Sequence, residues 1–390
     1  MASVSFIAIT TIFIFILTSS SCYASTPSTK TTSHPFKKIY AFGDSFTDTG
    51  NTRSVSGPSG FGNVGNPPYG ITFFHRPTNR YSDGRLVIDF IAESLSLPYL
   101  QPYRNIASNA SSSDASHGVN FAVAGSTAIN HDFFVKNNLT LDITPQSIMS
   151  QLNWFNKFLE TQGSKAASFD DALFWVGEIG VNDYAYTLGS NIPGDTIQKL
   201  GISSVTSFLQ YKVDDRISTM AISVQALLKK GAKYVVVQGL PTSGCLPLAM
   251  TLASEDDRDS IGCVKSVNNQ SYSHNLVFQA KLQDLRKQFP HAVIIYADYW
   301  NAYYTVMKNP SQYGFKESFK ACCGSGDPYN FNVFATCGAP SVSACSKPSQ
   351  YINWDGVHLT EAMYKVITDM FVSGKETHPP FSYLLDMRHG

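Results

Sequence analysis

Four short blocks, far apart in a chain of 390 residues, carry side chains whose types and spacing suit acyl chemistry: Phe42-Gly-Asp-Ser45, Phe121-Ala-Val-Ala-Gly125, Gly180-Val-Asn-Asp183 and Asp355-Gly-Val-His358. Opening an ester through a covalent intermediate needs a hydroxyl nucleophile, a base to take its proton, a carboxylate to orient that base, and donors aimed at the oxyanion. Ser45 offers the hydroxyl. It follows the apolar run Ile39–Phe42, which reads as a buried strand, and Gly43 permits a sharp turn that exposes a side chain at the strand's carboxyl end. His358 lies three residues after Asp355, so on one turn of a helix-like loop both side chains share a face and the carboxylate fixes the imidazole tautomer. The Asn182 amide either caps a turn with Asp183 or donates to an oxyanion. Gly125 either packs in the small-residue loop Ala122–Ser126 or offers its backbone N–H. The scheme calls for no metal or organic cofactor.

Bland readings compete with this one. A serine after Gly-Asp is often only a helix N-cap, and Ser45 is expected at the start of a helix in either case. Asp44 reads as a turn stabiliser and Asp183 as structural. Of nine histidines, His358 is set apart by its neighbouring carboxylate, whereas His75, His117, His131 and His274 have no such partner in sequence. Asn51 is a candidate to hold the nucleophile loop through side-chain hydrogen bonds.

The elements that must bring Ser45 to His358 are partly legible. Strand-like apolar runs occur at Lys38–Phe42, Ala172–Val176, Tyr234–Gln238 and Ala292–Ala297. Between them lie helical patterns. One spans about Val213 to Lys230, with Ile217, Met220, Ala221, Val224, Leu227 and Leu228 on one face and Gly231 as its stop. Another spans Asn268 to Phe289, using Leu276, Ala280, Leu282 and Leu285, and ends before Pro290. Such alternation predicts an α/β fold with a parallel sheet between two layers of helices, and places Ser45, Gly125 and Asn182 at one sheet edge.

Taken together, the blocks resemble those of plant secreted lipases/esterases of the GDSL type, within the SGNH hydrolase superfamily. The likeness covers nearly all of the mature chain. It continues through Asp48-Thr-Gly-Asn51, Asn66-Pro-Pro-Tyr-Gly70, Tyr81-Ser-Asp-Gly-Arg-Leu-Val-Ile-Asp-Phe90 and Gly177-Glu-Ile-Gly-Val-Asn-Asp-Tyr184. The resemblance implies a flavodoxin-like doubly wound sheet and hydrolysis of carboxylic esters. It implies a catalytic triad of Ser45, His358 and Asp355, and an oxyanion hole made by Ser45, Gly125 and Asn182. Two positions depart from the usual pattern: Phe46 replaces the leucine of the GDSL name, and Asn79 stands where glycine is commoner. Phe46 is expected to begin the helix after the nucleophile, and Asn79 to tolerate positive φ in a turn. Two other functions use or ignore the same residues: an acyltransferase that passes the acyl group to an alcohol, and a catalytically silent carbohydrate- or lipid-binding protein.

Composition bounds the partners. Lys+Arg and Asp+Glu both total 29 and no basic stripe is present, so nucleic acid is excluded as a partner and a neutral small-molecule ester is favoured. Phe6–Leu17 is an apolar run too short to span a bilayer, and Cys22-Tyr-Ala24 suits cleavage of a signal peptide after Ala24. That leaves one hydrolase domain over residues 25–390, with its core at about 37–375 and no membrane span. A membrane anchor is the alternative reading of the run. The destination is extracellular, in the apoplast or cell wall, with the vacuole as an alternative. Oligomeric state is not legible.

Six cysteines remain after the leader: Cys245, Cys263, Cys322, Cys323, Cys337 and Cys345. An exported chain pairs them as three disulfides; the guess is Cys245 with Cys263, and the later four pinning the loop before the Asp-His block. A zinc site, the competing use, lacks a Cys-x-x-Cys pair. Sequons at Asn109, Asn138 and Asn269 fit a glycoprotein.

Overall fold

The computed structural model describes residues 36–54, 62–108, 114–139, 144–162, 168–210 and 227–386. The expected leader, the sequon at Asn109 and most of the helix expected over Val213–Lys230 lie outside the described residues.

Five parallel strands form the sheet: β1 (Lys38–Phe42), β2 (Gly118–Asn120), β3 (Ala172–Val176), β4 (Tyr234–Gln238) and β5 (Val293–Ala297). Their spatial order, β2-β1-β3-β4-β5, is the flavodoxin-like one. Four lie where the apolar runs predict them, β5 one residue shorter. The three-residue β2 is too short to stand out by pattern. A lone antiparallel strand, Thr377–His378, closes the edge beside β5.

Fully buried strands need no polar face, which is why these read as continuous apolar runs. Their side chains still alternate between two cores. Ile39, Ala41, Trp175, Val236 and Ile295 pack toward the helices Val87–Ser94, Tyr299–Lys308 and Glu361–Val372. Tyr40, Phe42, Phe174, Val235 and Ile294 pack toward the helices Ile148–Gln162, Gly194–Gln210 and Lys265–Gln288. No helix among the described residues is long and apolar enough to cross a membrane.

The helix expected over Asn268–Phe289 begins three residues earlier and uses a different face. Leu282 and Leu285 are buried as expected, but Leu276 and Ala280 face solvent, while Asn268, Ser271, His274 and Asn275 are buried. The reason is local. Asn275 bonds both the N–H and the C=O of Leu240, and Asn268 accepts from the Gly244 N–H, so this half of the helix braces the loop after β4.

Residues 317–353 form an arm outside the main sheet. The strand pair Glu317–Ala321 with Tyr351–Asn353 and the pair Cys323–Gly324 with Ser343–Ala344 are cross-linked by the disulfides Cys322–Cys345 and Cys323–Cys337. The third disulfide, Cys245–Cys263, joins the loop after β4 to the start of the next long helix. The six cysteines from Cys245 onward are thereby paired as three disulfides.

Candidate active site

Ser45 lies three residues past β1, but no helix begins there; a short 3-10 helix forms only at Asn51–Ser54. Residues 45–47 form a turn closed by the Thr47 and Asp48 N–H groups donating to the Asp44 C=O at 3.1 and 2.9 Å. The expectation of a helix start at Ser45 or Phe46 is therefore corrected. The carboxylate of Asp48 takes over the local backbone donors instead. It accepts from Gly50 N at 2.7 Å, Asn51 N at 2.6 Å, Thr52 N at 3.1 Å and, across from the next segment, Ala124 N at 3.0 Å. The Thr52 hydroxyl also donates to it.

Gly43 makes the sharp departure from the strand possible. Its φ is +140°, and a Cβ there would lie 3.0 Å from the Glu178 C=O. From the helix Ile148–Gln162, the Gln151 amide clamps both backbone groups of Gly43, at 2.9 and 2.7 Å.

Asn51 performs the bracing suspected of it. Its Nδ2 donates to the C=O of Asn120 and of Ala122, both at 2.8 Å, tying the nucleophile loop to the segment that leads from β2 to Gly125. Gly125 has φ +78°, its C=O accepts from the Tyr186 hydroxyl at 2.8 Å, and a Cβ would meet Thr144 Oγ1 at 2.7 Å. Around these two points nearly every backbone donor is used. The N–H groups of Gly43, Asp44, Phe46, Thr47, Asp48, Ala124 and Ser126 all have acceptors. Those of Ser45 and Gly125, both buried, have none among the described residues. Buried N–H groups are rarely left unpaired, so two such donors at this sheet edge are open to an acceptor atom of a bound group.

Asn182 enters the site from the short helix Val181–Tyr186 after β3. Its amide is not free: Nδ2 donates to Asp44 Oδ2 and to the Ser126 C=O, both at 3.0 Å. The amide fastens loops, and it does so at the cavity wall. Asp183 is structural, accepting from Ala128 N and Ile129 N at 2.9 and 2.8 Å, and burial pushes its carboxyl up to about 7.

The Asp355–His358 segment is a turn between the arm and the helix Glu361–Val372, not a helical one. Asp355 Oδ1 accepts from Val357 N at 2.8 Å and His358 N at 2.7 Å, and Trp354 N donates to the His358 C=O at 2.8 Å. The predicted pairing results. His358 Nδ1 lies 2.9 Å from Asp355 Oδ2 and 3.0 Å from Oδ1, and the Tyr69 hydroxyl donates to Oδ2 at 2.8 Å. Burial alone would raise the Asp355 carboxyl, but the imidazole and these hydrogen bonds outweigh it and hold the group down to about 2. The other ring nitrogen, Nε2, is buried and has no hydrogen-bond partner.

Aromatic rings position the imidazole. Tyr81 lies 4.6 Å and Phe46 5.4 Å from it, centroid to centroid. Phe46, at the departure from the usual pattern, is thus a packing contact of the His358 ring. Tyr69 and Tyr81 sit inside recognisable blocks, but no local spacing links them to residues nearly 300 positions away. Asn79, at φ +61°, adopts the backbone expected for a glycine substitute.

Ser45, Asn182, Asp355 and His358 line one cavity of about 520 Å³. Its walls are largely aliphatic, including Leu240, Leu246, Leu248, Val264 and Val267. Leu188, Leu252 and Val333 also line it while remaining more than half or about half exposed.

The sequence profile of the family described as GDSL-like lipase/acylhydrolase matches residues 39–371. The chain is similar to a GDSL esterase/lipase of Arabidopsis thaliana, with 62% identity over 355 residues, covering 90% of this chain and 89% of the relative. It is 39% identical over 345 residues to acetylajmalan esterase 2 of Rauvolfia serpentina, covering 87% and 90% of the two chains. A second Arabidopsis GDSL esterase/lipase is 38% identical over 379 residues, covering 95% and 91%.

Proposed function

From the premise that the chain belongs to the GDSL-like lipase/acylhydrolase family and is a carboxylic ester hydrolase, we propose that it acts through a covalent acyl-Ser45 intermediate, with His358 as base and Asp355 as its orienting carboxylate. The observation that carries this reading is His358. Its Nδ1 is anchored to a carboxylate, while its buried, partnerless Nε2 belongs to a ring that lines the same cavity as Ser45.

Ser45 Oγ attacks the acyl carbon as Nε2 takes its proton, and the Asp355 charge stabilises the imidazolium. The oxyanion meets the unpaired N–H groups of Ser45 and Gly125, with the Asn182 amide beside them. As the C–O bond breaks, His358 returns the proton to the leaving alcohol. It then activates water, which releases the acid and frees Ser45. The aliphatic walls suit an apolar acyl or alcohol portion.

The leader-like run before residue 25 and the complete set of disulfides support secretion. The exposed positions Asn138 and Asn269 suit glycosylation.

Purified, folded Ser45→Ala should hydrolyse a short-chain aryl ester at least about a thousandfold more slowly than wild type. Wild-type turnover by that variant would remove Ser45 from the mechanism. Running the assay with added alcohol separates hydrolysis from transfer: new ester forming faster than free acid would replace the hydrolase reading with the acyltransferase one.

A further inference from the structure

Beneath Ser45 lie two carboxyl groups that the triad does not use. Asp44, 1% exposed, precedes the nucleophile, and Glu178, fully buried, follows β3. Their backbones meet where Asp44 N donates to the Glu178 C=O at 3.1 Å, and each buried carboxyl acts on the acidity of the other. Two neighbouring carboxyls removed from water do not both ionise, so one proton stays with the pair.

The remaining bonds say which group carries it. Asp44 accepts from Phe46 N at Oδ1 and from Asn182 Nδ2 at Oδ2, both at 3.0 Å, which suits an anion. Among the described residues Glu178 accepts only from Val181 N, through Oε1, and its buried Oε2 has no hydrogen-bond partner. A proton on Oε2, donated to Asp44, satisfies that atom.

We propose that Asp44 and Glu178 are a one-proton positioning pair: protonated Glu178 holds the Asp44 carboxylate, which in turn holds Asn182 and the Ser45 turn in their reactive arrangement. This rests on the acyl-serine reading above.

No Lys or Arg is among the groups that act on the pair. Asp48 acts from the same turn, Asp183 from the helix after β3, Tyr299 from the helix after β5, Tyr364 from the helix Glu361–Val372, and His358 from the far wall. Burial raises both carboxyls, Glu178 further because it also faces the Asp44 charge. As pH rises through the folded-state value of Glu178, the proton leaves, two anions face each other, and the hold on Asn182 is lost.

The test measures kcat and KM for a short-chain aryl ester, from about pH 5 to about pH 10, on wild type and three variants. Wild type should lose kcat on the alkaline side with little change in KM. Glu178→Gln, whose amide donates to Asp44 at every pH, should lower kcat by less than roughly tenfold and abolish that alkaline fall. Glu178→Ala should lose roughly a hundredfold in kcat, the size of a lost oxyanion donor. Asp44→Asn, which lets Glu178 ionise, should also lack the alkaline fall, so either amide variant decides if the other does not fold. Superimposable alkaline limbs in wild type and the amide variants would overturn the pair. Stoichiometric labelling of wild-type Ser45 by a phosphonate reads the nucleophile separately: its failure sinks the acyl-serine reading, whereas labelling with unchanged limbs sinks only the pair.

Discussion

The two sides of the cavity are built by different means. The Ser45 side hangs from the carboxyl ends of β1, β2 and β3, and its loops are fastened by buried side chains bonding backbone: Asp48 to four N–H groups, Asn51 to two carbonyls, Gln151 to both sides of Gly43. The base side has no long ladder beneath it. Its turn is held by two disulfides, by short strand pairs and by a ring of aromatic side chains.

Electrostatics divide the same way. Asp44, Asp48, Glu178 and Asp183 are all pushed up by burial, whereas Asp355 is held down by His358. A sheet edge can spend carboxylates as backbone acceptors because the strands already fix the chain. A long arm needs covalent and apolar constraint before a charge pair can be set in place.

The contrast breaks hardest at Asp48. Replacing it with Ala leaves the buried N–H groups of Gly50, Asn51 and Thr52 without their acceptor, while Ala124 N keeps Thr52 Oγ1, and at roughly 1 kcal/mol or more each the loss should reach about 3 kcal/mol or more. Urea unfolding reads it as a lowered midpoint; a change under about 1 kcal/mol would mean that the nucleophile loop is held by its strands alone.

On the other side, removing Cys323 and Cys337 together opens a 14-residue link and should cost about 3 kcal/mol. Because that link braces the base rather than the nucleophile, phosphonate labelling of Ser45 should slow in parallel with ester turnover. Unchanged labelling and turnover in the folded double variant would show that the arm keeps its place without the link.

The smallest effect separates the halves by pH. Asp183 has a folded-state value of about 7, above the ordinary 3.8, so its stabilising contribution is full only below 3.8 and is lost progressively as pH rises to about 7. Asp355, held to about 2, contributes throughout that window and loses its effect only on strong acidification. Calorimetry should find Tm a few degrees lower at about pH 8 than at about pH 5, and Asp183→Asn should flatten that slope. A Tm that rises over the interval would reverse the assignment.

Much of this was open to reading in the chain itself. The four strands at Lys38, Ala172, Tyr234 and Val293 declare themselves because a strand buried on both faces must be apolar throughout. Ser45, Asp355 and His358 stand out because turns and an i, i+3 pairing are local chemistry. The Asn268–Gln288 helix misled because its buried face is polar where it braces a loop, a partner that periodicity does not register.

What the sequence settled is therefore whatever neighbours a few residues apart can enforce: strand composition, the turn at Gly43, the histidine beside its acid. Only tertiary structure decided which cysteines pair, that Tyr69 reaches an acid 286 positions away, that the Ser45 and Gly125 N–H groups stay unpaired, and that Asp44 meets Glu178. Each of those depends on removal from water and on approach between distant segments, and neither desolvation nor distance is written in residue order.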